Sequence, residues 1–126
     1  MKRIIHALES NLPLRIDHAI WAPPVLTLYG QNWNLNTMAS WRLIKNGVIV
    51  AASGLEGSEP LVENLTDRSI VSVSIQSQVC RVDPVLFFDD GQALELFSDD
   101  TLEPWVLRLP SGEVFVPNPS ERDLIG

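Results

Sequence analysis

Residues 84–117 read PVLFFDDGQALELFSDDTLEPWVLRLPSGEVFVP. This stretch decides the fold, because it spells four β-strands in succession. Pro84–Phe88 is apolar, Asp89-Asp90-Gly91 turns the chain, and Gln92–Phe97 runs back. Asp99–Glu103 is a longer turn. Trp105–Leu109 and Glu113–Val116 then flank Pro110-Ser111-Gly112. Asp-Gly and Ser-Gly between β-rich runs are hairpin signals, since a tight turn needs a residue that accepts positive φ. Val85–Phe88 is apolar on both faces, which predicts an inner strand covered on both sides.

Working outward, the remaining segments read as partners for this meander. Ile4, Ile5, Leu8 and Leu12 recur at helical spacing and Pro13 closes the run, so a short helix or arm is expected at the start. Leu14–Trp21 reads as a strand with Leu14, Ile16, His18 and Ile20 on one side. Val25–Tyr29 is a strand, Gly30 a turn and Gln31–Leu35 the return, with Asn36–Ala39 a polar link. Ser40–Ile44 places Trp41 and Leu43 on one face. Asn46-Gly47 is the strongest hairpin signal in the chain, leading into Val48–Ala51. Ala52–Pro60 is a loop between two halves, and residues 61–68 allow one helical turn. Ile70–Ile75 alternates with Val71, Val73 and Ile75 inward. The apolar phase then shifts at Cys80 and Val82, which predicts a bulge or break there.

The chain also resembles itself. Pro24-Val25-Leu26 matches Pro84-Val85-Leu86, and Gly30-Gln31 matches Gly91-Gln92. Leu35 matches Leu96, Trp41 and Leu43 match Trp105 and Leu107, and Gly47 matches Gly112. Residues 12–52 and 65–117 therefore read as an internal pseudo-repeat of one β-meander. One such meander cannot bury its apolar face alone, whereas two facing copies can. The expected fold is all-β with minor helix: two similar antiparallel β-meanders forming a sandwich or flattened barrel within a single domain, residues 1–126.

At 126 residues with 45% hydrophobic and 20% charged side chains, the composition is that of a globular domain. The net charge of −7 disfavours nucleic acid and anionic membranes as partners. One cysteine, Cys80, allows no intrachain disulfide. The N-terminal apolar run is interrupted by His6 and Glu9 and fails as a signal peptide, so a cytoplasmic monomer or homodimer is expected. His6, His18 and Cys80 make no metal-ligand spacing, and no nucleophile elbow, phosphate loop or dinucleotide fingerprint occurs. Catalytic residues, metal and cofactor are all expected to be none. The conspicuous polar set is acidic: Asp89 and Asp90 in one turn, Asp99, Asp100 and Glu103 in the next. Turns favour aspartate for local reasons, and solvated acids aid solubility. The functional reading is a docking surface for a basic protein partner.

The patterns DPVLFFDDGQ, EPW and the earlier WRL resemble a family of small uncharacterised bacterial β-rich proteins with an Asp-Gly turn and a Pro-Trp signature. Some proteins of similar look are immunity proteins that block a toxin domain. The resemblance implies a non-catalytic protein-binding protein, with the immunity type as its concrete form, and no residue roles. Two alternatives stand beside it. One is a small-molecule-binding or enzymatic barrel with Tyr29 and His18 at the mouth of a cavity between the sheets. The other is a structural module that dimerises through a strand edge.

Overall fold

In the computed structural model, which describes residues 2–75, 84–97 and 105–116, two antiparallel sheets pack as a sandwich. Strand residues outnumber helical ones, 53% to 14%. The elements are α1 (Lys2–Asn11), β1 (Leu14–Arg15), β2 (His18–Ala22), β3 (Val25–Gly30), β4 (Trp33–Thr37), β5 (Ser40–Lys45) and β6 (Val48–Ala52). They continue with α2 (Ser58–Glu63), β7 (Ser69–Ile75), β8 (Pro84–Phe88), β9 (Ala93–Phe97), β10 (Trp105–Arg108) and β11 (Val114–Phe115).

The six-stranded sheet has the order β1-β7-β8-β9-β5-β6, and the five-stranded sheet, read from its other edge, β2-β3-β4-β10-β11. Exchanging β2–β6 with β7–β11 converts one order into the other, leaving β1 as an added edge strand. The pairing registers follow the same exchange. One buried row crosses the five-stranded sheet through Ala19, Leu28, Leu35, Leu107 and Phe115. Its counterpart crosses the six-stranded sheet through Val73, Leu86, Leu94, Leu43 and Ala51. Leu35 thus corresponds to Leu94, not to Leu96, its match in the sequence comparison. Trp41 and Trp105 lie two residues before Leu43 and Leu107, and each is 1% exposed. Trp21 of the five-stranded sheet meets Trp41 of the six-stranded sheet edge-on, with ring centroids 5.1 Å apart. Each buried Leu in these rows contributes roughly 1.5–3 kcal/mol by leaving water.

The helices close the sandwich. Leu8 and Ala7 of α1 are buried in the core, and Ile5 and Leu12 pack against it. The short α2 sits against the edge strands β2 and β6, one from each sheet, and buries Val62 and Ser58. Ser58 Oγ anchors it by accepting the Ala52 N–H and by placing its one proton between the carbonyls of Leu55, at 2.7 Å, and Ala52, at 3.0 Å.

Several local expectations are corrected. Leu14–Trp21 is not one strand: β1 lies in the six-stranded sheet and β2 in the five-stranded sheet, and the chain crosses between them at Ile16-Asp17. The crossing reverses the phase, so Leu14 and Ile16 are buried while His18 and Ile20 face solvent. The β3–β4 turn is Gln31-Asn32, with Asn32 at φ 64, and the strand after it runs to Thr37 rather than ending at Leu35. The β7 bulge falls at Val71, where the register jumps from Ile70↔Phe88 to Ser72↔Phe87. Val71 is therefore 46% exposed instead of inward. The shift expected at Cys80 and Val82 lies outside the described residues. Phe87 is 37% exposed, so β8 is not covered on both faces along its whole length. Asn46-Gly47 forms its hairpin as expected, with φ 54 and 76.

Candidate functional site

The acidic residues singled out from the sequence divide into two groups. Asp99, Asp100 and Glu103 lie outside the described residues. Asp89 and Asp90 occupy the β8–β9 turn. Asp90 is already engaged there. Its carboxylate accepts the Gln92 backbone N–H at 3.2 Å and the Gln92 side-chain amide at 2.7 Å, and Arg68 Nε lies 3.7 Å away. Burial alone would raise its pKa, but the Gln92 hydrogen bonds and the charges of Arg68 and Lys45 outweigh it and hold the carboxyl below its ordinary 3.8. Asp90 thus closes a turn, and Asp89 is the exposed acid of that pair.

A different surface stands out on the outer face of the five-stranded sheet. Two rows cross it. The first runs His18, Tyr29, Asn34, Arg108 and Val114, and the second Ile20, Thr27, Asn36 and Val106, each neighbour a register partner of the next. None of these nine positions is Asp, Glu, Lys, Ser or Ala, in a chain with 16 acidic residues. The flanking carboxylates are occupied: Asp17 lies 3.8 Å from Arg15, and Glu113 accepts the Ser111 hydroxyl at 3.0 Å. Tyr29 is 37%, Ile20 44% and Val114 48% exposed. His18 and Tyr29 stack as a tilted pair with ring centroids 5.1 Å apart.

The sheet end near Tyr29 is hollowed into a shallow cleft of about 370 Å³, lined by Thr27, Tyr29, Asn34, Asn36 and Arg108 with the β3–β4 turn. Local sequence explains its shape. The turn is held by Trp33 Nε1 donating to the Arg15 carbonyl at 2.9 Å, beside the Asp17 N–H donating to the Tyr29 carbonyl at 2.8 Å. A side chain at position 30 would strike the Arg15 carbonyl and the Trp33 indole, so Gly30 is what lets the crossing segment approach.

Inside the cleft the hydrogen bonds run in one direction. Thr27 Oγ1 donates to Asn36 Oδ1 at 3.0 Å, and Asn36 Nδ2 donates to Asn34 Oδ1 at 3.5 Å. The series ends on the Asn34 Nδ2 hydrogens, in register with Arg108. Among the described residues, no carboxylate lies within ion-pair distance of Arg108. Tyr29 and His18 lie on this outer face, not at the mouth of a cavity between the sheets. Among the described residues, no three His, Cys, Asp or Glu side chains come together. No helix of the described residues is long and apolar enough to cross a membrane.

The sequence carried a signal for this face in Asn32-Trp33-Asn34-Leu35-Asn36-Thr37. Asparagine is depleted in strands, so an alternation placing two on one face of an inner strand has no packing rationale. Reading Asn36 as part of a link hid it. No family model, no curated protein and no solved structure matches this chain.

Proposed function

We propose that the protein is a non-catalytic protein-binding protein whose recognition surface is the outer face of the five-stranded sheet. The observation that carries this is the composition of the two rows. Interface cores are enriched in aromatic residues and Arg and depleted in Lys, Glu, Asp, Ser and Ala. The nine positions hold none of the depleted types and include Tyr29 and Arg108, while acids elsewhere favour solubility. The Asn34 and Asn36 amides and the Thr27 hydroxyl that line the cleft transfer no protons near neutral pH, which supports recognition by hydrogen bonding and packing there. Tyr29 stands as the aromatic anchor, and Ile20, Val106 and Val114 supply apolar area around it. The immunity role implied by the sequence resemblance is one form of this reading, with a toxin domain as the partner.

The test is retention of a partner from the native host by three immobilised proteins. The parent and Asp89→Asn should retain the same partner. Asn36→Glu, which raises a negative charge at the centre of the face, should lose it. Tyr29→Ala should weaken the complex by about 2 kcal/mol or more, as truncation of an interface anchor does. Retention by Asn36→Glu with loss in Asp89→Asn would move the interface to the acidic turn, the surface first expected for a basic partner.

A further inference from the structure

The cleft at the Tyr29 end of this face is built of hydrogen-bond donors. In the Thr27→Asn36→Asn34 series the Oδ1 atoms of Asn36 and Asn34 act as acceptors, at 3.0 and 3.5 Å, and the Asn34 Nδ2 hydrogens are left over as donors. Among the described residues, no acceptor takes those hydrogens, the Tyr29 hydroxyl or the Arg108 guanidinium. All three groups line one 370 Å³ space. Asn34 is the register partner of both Tyr29 and Arg108, so the three side chains stand side by side on neighbouring strands. An acceptor-only ligand group matches such a set. A guanidinium fork beside an amide suits a planar carboxylate, which accepts two parallel N–H bonds from Arg and a further bond from the amide. β4 and β3 are inner strands with their backbone groups paired on both sides, so an extended peptide cannot add to them as a strand. What enters must be a side chain projecting from the partner's own surface.

We infer that the Tyr29–Asn34–Arg108 cleft receives an Asp or Glu carboxylate of the protein partner. This rests on the reading of the face as a protein interface, and it sets the sign of the partner's contact surface: acidic at this point, opposite to the basic surface that the turn acids suggest. The carboxylate would take Arg108 and Asn34 Nδ2, with the Tyr29 hydroxyl as a third donor and the Tyr29 ring, backed by His18, walling one side.

The experiment uses the full chain and small probes, read by NMR at the side-chain signals of Arg108, Asn34 and Asn36. The probes are N-acetylglutamate methylamide, its glutamine counterpart and N-acetyl-phosphoserine methylamide, at constant ionic strength. The glutamate probe should shift the Arg108 and Asn34 signals saturably and bind roughly tenfold more tightly than the glutamine probe, as a charged acceptor does over a neutral one. Arg108→Gln should erase that difference, and Asn34→Ala should shrink it. Equal binding of the glutamate and glutamine probes, or a difference that survives Arg108→Gln, overturns the assignment. Tighter binding of the phosphoserine probe also overturns it, in favour of a phosphorylated partner. Loss of partner retention in Asn36→Glu with no preference for the glutamate probe would keep the interface and remove the carboxylate. Retention by Asn36→Glu removes the interface itself.

Discussion

Asp90 shows how much a single turn residue can carry. Its carboxylate closes the β8–β9 turn through two Gln92 donors and faces Arg68. Because its pKa is held below 3.8 in the folded chain, its contribution is fully present above that value and fades as the pH falls below it. Asp90→Ala should therefore cost about 1–2 kcal/mol at neutral pH. The cost should shrink toward zero in strong acid, measured by urea unfolding across pH. Gly30 is the second position where one residue decides local geometry. Gly30→Ala forces the Arg15 carbonyl or the Trp33 indole to move, at a cost of about 1–3 kcal/mol. Thermal melts read the loss, and the indole N–H signal of Trp33 should shift with it as its bond to Arg15 loosens.

At the level of elements, alternation within a strand is readable from the sequence wherever a strand stays in one sheet and carries no bulge. The hairpins at Asn46-Gly47 and Asp89-Asp90-Gly91, and the inward Trp41 and Leu43, follow directly from local pattern. Two elements broke the pattern for reasons no local window contains. The Leu14–Trp21 run changes sheet at Ile16-Asp17, because Ile16 exchanges backbone bonds with Asp67 and Arg68 on one side and Asp17 is drawn to Tyr29 on the other. β7 holds one extra residue against β8, and that residue is Val71. The candidate face was hidden for a similar cause. Its two rows are completed by β10, which joins β4 from nearly seventy residues away. The bulge gives a sharp contrast within one strand. Val71→Ser should change stability by less than about 0.5 kcal/mol. Val73→Ser should cost about 2 kcal/mol or more, since it places a hydroxyl in the buried row. Denaturant midpoints for the two variants test the register.

For the whole molecule, the order of strands means that neither half owns a sheet. β2–β4 pair with β10 and β11, and β7–β9 pair with β5 and β6. Chains cut after Gly54 should give two fragments, 1–54 and 55–126, that show no cooperative unfolding alone and regain it on mixing, followed by tryptophan fluorescence. Trp41 and Trp105 sit at the two seams, one on β5 beside β9 and the other on β10 beside β4. Either Trp→Ala change should cost about 3–5 kcal/mol, enough to unfold a marginal domain. The same seams do not specify which copy of the chain supplies each half. A first half can close with the second half of a neighbouring molecule through identical pairs, provided that the Ser53–Gly57 loop opens out. Today that loop folds back tightly, with Ser53 N–H on the Trp41 carbonyl and Ser58 on Ala52. Deleting Gly54–Gly57 removes the slack needed to turn back, while leaving every strand pair available between molecules. The shortened chain should emerge from size-exclusion chromatography as an intertwined, domain-swapped dimer with unchanged circular dichroism.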